Sequence, residues 1–133
     1  LWPEYGKTSF TFQNGDETFR LAPSEEPNSM WPWKNGITQI CILSSRSHRN
    51  HTISVQSWLR DRHQKSVKCV AENNSLCWFD KGFMLLNPNF DEVRDFASGC
   101  LQDVLFVWES ERLVCMSLKT GRVHTTGWTL EKV

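Results

Sequence analysis

Over 103–128, runs of apolar and β-branched residues are separated by polar turns, and this pattern predicts three successive strands. Two apolar runs, 104–108 and 113–118, are separated by a charged turn. A second turn contains Gly121, and glycine readily takes the positive φ that a tight turn needs. Because both apolar runs are nearly continuous rather than alternating, we expect these strands to be covered on both faces or to be central in the sheet.

The same pattern predicts further strands earlier in the chain. Phe10 and Phe12 alternate with polar residues, and Asn14-Gly15 then leads into a second alternating run, which is a strong hairpin signal. Other runs of strand-forming residues lie at 37–43, 66–71, 76–79 and 83–86. Between the last two, the Asp-Lys-Gly segment at 80–82 is predicted to be a hairpin turn, and 2–7 an irregular lead-in.

Two segments show helical spacing. Over 90–98, three apolar residues share a helical face, acidic residues occupy the first turn, and Gly99 is placed to end the helix. The segment 52–65 fits two structures. Its β-branched start favours a strand in the first half, whereas Val55, Trp58 and Leu59 would share a helical face capped by Thr52 or Ser54.

These elements predict a mostly β fold, an antiparallel sandwich or barrel with one short helix; the alternative is an α+β fold with a second helix at 52–65. With 133 residues, 1–133 is expected to form a single domain. Because it starts with Leu1 rather than methionine, we expect a piece excised or processed from a longer chain. No apolar run approaches the ~20 residues of a transmembrane helix, so no membrane span is expected.

Tryptophan is the unusual feature of the composition, with seven residues against a single tyrosine. In the segment Trp-Pro-Trp-Lys-Asn-Gly, Pro32 stiffens the chain between two indole rings. Trp31, Trp33 and Lys34 are therefore a candidate binding surface. Packing of both rings inward, as a plug for the end of a barrel or sandwich, is nevertheless favoured, because large exposed apolar groups are the exception.

Charge adds a second candidate surface. The 15 basic and 15 acidic residues balance, so affinity for a polyanion has to come from local clustering. The region 46–68 is such a cluster, and an indole within it could stack on a nucleic-acid base. The candidate residues are Arg46, Arg49, Trp58, Arg60 and Arg62. The zero net charge argues against this interpretation, because nucleic-acid-binding modules are usually basic overall.

The five cysteines, an odd number without a CxxC spacing, are each flanked by apolar residues. This favours five buried thiols and an intracellular location. An extracellular domain with two disulfides is the alternative, and two glycosylation sequons, at Asn50 and Asn73, favour it. His48 and His51 have a spacing at which both could bind a metal from a loop, but no second pair of ligands has a recognisable spacing, so neither a metal nor a cofactor is expected.

The chain contains no GxSxG, HExxH, GxGxxG, P-loop or zinc-deaminase motif, which argues against an enzyme. Carboxylates such as Asp80 and Asp103 are numerous, but the sequence does not pair them. We therefore expect a non-enzymatic recognition module that binds another protein through loops on a β scaffold. The alternatives are a nucleic-acid-binding β domain that uses the basic face 46–68, and an extracellular receptor or ligand domain with disulfides.

Overall fold

Eight strands close into an antiparallel barrel in the computed structural model, which describes residues 2–34, 36–45, 54–100 and 102–133. The strands are β1 (Ser9–Asn14), β2 (Glu17–Ser24), β3 (Gln39–Ser44), β4 (Ser66–Asn73), β5 (Trp78–Leu86), β6 (Val104–Glu109), β7 (Leu113–Ser117) and β8 (Val123–Lys132). The helices are α1 (Trp2–Tyr5), α2 (Val55–Asp61) and α3 (Phe90–Gly99). Neighbouring strands follow the order β1-β2-β8-β7-β6-β3-β5-β4, and β4 pairs with β1 to complete the ring.

The two predicted strand-turn patterns are confirmed. β1 and β2 form a hairpin in which Gln13 is opposite Thr18, and Gly15 takes a φ of +66° in its turn. β6, β7 and β8 form the predicted meander, and Gly121 takes a φ of +74° in its second turn. The barrel is one of the two architectures that the sequence predicts.

The continuous apolar runs are explained by two buried layers. One set of side chains points into the barrel interior, and the set that alternates with it on β3, β5, β6 and β7 packs against α2 and α3 outside the barrel. Ile42 and Phe106, for example, point inward, whereas Leu43 and Leu105 belong to the outer layer. Coverage on both faces is therefore confirmed for β6 and β7.

Residues 55–61 form helix α2, so the strand predicted for the first half of 52–65 is wrong where the structure describes it, and the helical alternative is right. The Ser54 hydroxyl caps the helix by accepting a hydrogen bond from the Ser57 amide at 3.1 Å. Val55, Trp58 and Leu59 are all buried against the outside of the barrel. A strand would place Trp58 on the opposite face from the other two, so burial of all three favours the helix.

Two smaller predictions are also wrong. Residues 80–82 lie inside β5 rather than in a turn, and Gly82 pairs with Ser44 on one side and Cys69 on the other. A Cβ atom at Gly82 would approach the Leu43 carbonyl oxygen closer than 3.0 Å, so glycine here allows two strands to approach closely. The lead-in 2–7 contains the one-turn helix α1.

All five cysteines are free, and four of them are buried. The exception is Cys77, which is exposed in the turn between β4 and β5 and has a φ of +54° there. The prediction of five buried thiols is therefore wrong for Cys77. Burial raises the pKa of Cys41, Cys69 and Cys115 to about 12.

We expect Cys77 to be the one thiol that reacts rapidly with Ellman's reagent in the folded chain at neutral pH. The others are sterically protected and, with their pKa values raised by burial, contain little thiolate, which is the reactive form. After denaturation, all five thiols should react with the reagent. Stopped-flow absorbance of the native chain and of Cys77→Ser measures this, and a rapid phase that persists in Cys77→Ser would contradict it.

Among the described residues, no helix has both the length and the apolar character required to cross a bilayer.

Candidate functional site

One end of the barrel, which we call the mouth, contains a cavity of about 250 Å³. The ends of β3 and β4 and the starts of β1, β5 and β6 surround this cavity, and Tyr5 of α1 lies against it. Its apolar wall includes Phe10, Ile42, Ala71 and Phe106, all of which belong to the interior layer. The cavity is therefore a part of the barrel interior that side chains do not fill.

Polar groups form the rim of the mouth and are held by hydrogen bonds between different elements of the fold. The Ser44 hydroxyl of β3 donates to Asp80 Oδ2 of β5 at 2.7 Å. The Tyr5 hydroxyl donates to Asp103 Oδ2 at 3.1 Å. Among the described residues, Lys81 is the third charged group of this lining. Two carboxylates that the sequence could not pair thus come to the same cavity.

At the mouth, the wall between β3 and β6 is closed by a side chain rather than by backbone hydrogen bonds between the strands. Pairing between β3 and β6 ends at Ile42 and Phe106, although β3 continues to Ser44 and β6 begins at Val104. The Gln102 side chain bridges the gap: its Oε1 accepts from the Ser44 amide and its Nε2 donates to the Ser44 carbonyl, each at 3.2 Å. We call this gap the β3–β6 seam.

Asn73 holds α1 over the mouth from the last position of β4. Its side-chain amide donates to the Glu4 carbonyl at 2.8 Å and to the Thr8 hydroxyl at 3.0 Å. Its Oδ1 accepts from the Leu76 amide at 3.0 Å. The side chain is 1% exposed, so the Asn73 sequon cannot carry a glycan in this fold. The other sequon, at Asn50, lies outside the described residues.

Replacing Asn73 by alanine is expected to lower the free energy of unfolding by about 2 kcal/mol, because buried partners lose their hydrogen bonds. Urea denaturation followed by circular dichroism measures the loss. The matched control is Asn74→Ala, next to it but exposed, for which a change within about 0.5 kcal/mol is expected. Equal losses for the two variants would contradict the anchoring role.

The opposite end, which we call the base, holds three of the predicted site residues. Trp31, Trp33 and Lys34 line an open, mainly polar groove of about 610 Å³ beside Glu109. Trp33 is only 9% exposed, and both indole rings pack into the interior layer. The prediction that these rings act as an inward plug is confirmed. Binding at the groove beside them stays a prediction.

The basic region is brought together only in part. Trp58 is 7% exposed, with its ring stacked on Phe96 at 4.4 Å between centroids and the Arg62 guanidinium 4.3 Å from the ring centroid. Both ring faces are thereby occupied, which leaves no face for a base in this conformation. Arg62 also lies 3.5 Å from Glu92, and Arg60 is exposed.

Arg46 and Arg49 lie outside the described residues. The nucleic-acid interpretation thus stays a prediction, without a stacking platform at Trp58. Among the residues that the structure does describe, no group of three or more His, Cys, Asp or Glu side chains could hold a metal ion. Comparisons with family models, with curated proteins and with solved structures each find no match for this chain.

The mouth was not predicted from the sequence, although part of its signal is present there. Alternation along β4 places Cys69, Ala71 and Asn73 on one face, and the same rule applied to β5 places Asp80 and Gly82 on one face. What the sequence lacks is the pairing of β4 with β1 and of β5 with β3, because these pairings join residues far apart in the chain.

Proposed function

We propose that this chain binds a small, largely apolar ligand in the cavity at the mouth of the barrel. The observation that supports it is an apolar cavity of about 250 Å³ with a polar rim. Ligand sites combine mostly apolar walls with a few fixed polar groups in this way. For comparison, an engineered apolar cavity of about 150 Å³ binds benzene.

The uneven filling of the barrel supports the same proposal. An eight-stranded barrel is just wide enough either to be filled by side chains or to hold one small ligand. The base half is filled by the rings of Trp33, Trp108 and Trp128, whereas the mouth half is lined by smaller groups such as Ala71 and Cys69. A stable, packed base can thus support an open mouth.

The test uses indole and 2-naphthol as neutral aromatic probes, with binding followed by NMR of ¹³C-labelled methyl groups. We expect saturable shifts of Ile42 and Val104, which line the cavity, and none of Leu118, which packs outside the barrel. Ala71→Leu should fill the cavity and abolish the shifts. The control Ala22→Leu makes the same change on the outer face of β2 and should leave binding intact.

Shifts that do not saturate, or that are the same in Ala71→Leu as in Ala22→Leu, would overturn the proposal. Thermal denaturation of both variants establishes that each is folded, so that lost binding is not lost structure.

Binding of a protein partner at the base is a second proposal, and one observation favours it. Met30 is 88% exposed and directly precedes Trp31, which lines the groove at that end. Contiguous exposed apolar patches mark docking surfaces, and Met30 adjoins the partly buried Trp31 at the edge of this groove. Peptides selected from a displayed library should lose binding to Met30→Asp and retain it for Val133→Asp, a control at another exposed apolar side chain. Equal binding to both variants would contradict the proposal.

A further inference from the structure

Aromatic rings make up much of the cavity lining at the mouth. Phe10 of β1 and Phe106 of β6 are both buried in the interior layer, and both line the cavity. Their ring centroids are 4.9 Å apart, and the ring planes are inclined at 73° to each other. The two rings thus form a nearly right-angled corner in the wall of the cavity.

This corner suits a flat aromatic ring better than a saturated one. A ring that lies parallel to either phenylalanine ring is close to perpendicular to the other. It can therefore make an offset-stacked contact with one and an edge-to-face contact with the other, the two arrangements that aromatic pairs prefer. A saturated ring has no π system and gains only the burial of apolar surface.

A sulfur atom adds to the same preference. Cys69 lines the cavity from β4, two residues before Ala71, which is opposite Phe10 on the neighbouring strand. Burial raises the pKa of Cys69 to about 12, so its thiol is neutral at physiological pH. A neutral sulfur is polarisable and makes favourable contacts with aromatic rings.

The polar groups of the rim are bonded within the fold. The Ser44 hydroxyl donates to Asp80, and the Tyr5 hydroxyl donates to Asp103. Both ends of the Gln102 amide are bonded to the backbone of Ser44. We therefore expect the ring contacts inside the cavity, rather than a polar head group at the rim, to decide which ligand binds.

From these observations, and resting on the proposed function, we infer that the ligand is a flat aromatic molecule of one or two fused rings. Its ring system would lie in the corner between Phe10 and Phe106. The cavity volume of about 250 Å³ limits its size, since about 150 Å³ accommodates benzene.

Two alcohols test this inference: 1,2,3,4-tetrahydro-2-naphthol and decahydro-2-naphthol. They carry the same hydroxyl group on the same two-ring carbon skeleton, and only the first contains an aromatic ring. Titration calorimetry and the methyl shifts of Ile42 and Val104 report binding. We expect the aromatic alcohol to bind about fivefold or more tightly. Burial alone would favour the saturated alcohol, because it has more apolar surface.

Matched variants on one strand locate the effect. Phe10→Leu keeps an apolar wall but removes one ring of the corner, and it should lower the preference for the aromatic alcohol about twofold or more. Phe12→Leu makes the same change at the next inward position of β1, where the ring packs on Trp33 and Trp108, and should leave the preference unchanged. Thermal denaturation establishes that both variants are folded.

A second measurement needs no variant. Intermolecular nuclear Overhauser effects should connect the aromatic protons of the bound alcohol with the ring protons of Phe10 and Phe106. Their absence in a saturated complex would overturn the inference.

The outcomes separate the two proposals. If the saturated alcohol binds as tightly as the aromatic one, or if Phe10→Leu keeps the preference as fully as Phe12→Leu, the inference about the aromatic ring is wrong while the binding cavity stands. If neither alcohol binds, and neither do indole and 2-naphthol, the proposed function itself is wrong.

Discussion

Replacing Trp108 by alanine is expected to lower the free energy of unfolding by about 3–5 kcal/mol, the range found when a large aromatic side chain is removed from a core. Its side chain is fully buried, at 0% exposure. Four aromatic rings pack around it, with centroids 5.0–6.0 Å away: those of Phe12, Trp31, Trp33 and Trp128. Removal of one ring therefore leaves the whole base of the barrel without its central contact.

Urea denaturation measures this loss, and two further variants make it specific. Phe79→Ala removes an aromatic ring that is 73% exposed on β5, and we expect a change within about 0.5 kcal/mol. Trp108→Phe should lower the free energy of unfolding less than Trp108→Ala, because phenylalanine keeps an aromatic ring in the core. It also loses no hydrogen bond, since the indole N–H of Trp108 is buried and has no hydrogen-bond partner among the described residues. Similar losses for Trp108→Ala and Phe79→Ala would contradict the role of Trp108 as the centre of the plug.

Replacing Gly82 by valine is expected to cost about 3 kcal/mol or more, at the upper end of what overpacking costs. The new Cβ would collide with the Leu43 carbonyl of β3, which is main chain and cannot turn aside as a flexible side chain would. β3 and β5 would have to separate at the mouth. We therefore expect Gly82→Val both to destabilise the barrel and to weaken ligand binding there.

The control for Gly82 is Gly15 in the β1–β2 turn, where no atom lies within 4 Å of the position that a Cβ would take. Its φ of +66° suits asparagine better than most residues, so Gly15→Asn should change stability by less than about 1 kcal/mol. Thermal denaturation of both variants provides the comparison. A Gly82→Val chain as stable as Gly15→Asn would show that the two strands can separate at little cost.

Local patterns predicted most of the elements but not how they associate. The hairpin at Gly15 and the meander that includes Gly121 could be read from turn residues and alternation, because both depend on neighbours in sequence. The distinction between sandwich and barrel depends on β4 pairing with β1, in which Phe10 is opposite Ala71. No local pattern specifies such a contact, and the sequence therefore left both architectures open.

The ambiguous segment shows the same limit. Val55, Trp58 and Leu59 suit a helix only if an apolar surface lies beneath them, and the outer faces of β3, β5 and β6 supply that surface. β-branched residues before the helix favoured a strand locally, and tertiary packing decided otherwise.

Prediction of the site was limited for a related reason. The inward packing of Trp31 and Trp33 could be predicted, because large rings are seldom left exposed. The mouth combines Tyr5, Asp80 and Asp103 from distant parts of the chain, and hydrogen bonds across elements bring them together. Each of these residues is ordinary in its own sequence context.

The β3–β6 seam gives this barrel an adjustable aperture. In a closed barrel, strand number and stagger together fix the bore, so its width cannot change without a shift of register around the whole ring. Here the last part of the wall depends on the two hydrogen bonds between Gln102 and Ser44 instead of on backbone pairing between β3 and β6. We therefore expect a single substitution at Gln102 to change the width of the entrance while the register of all eight strands is preserved, which would make Gln102 the position at which to alter the selectivity of the proposed ligand site.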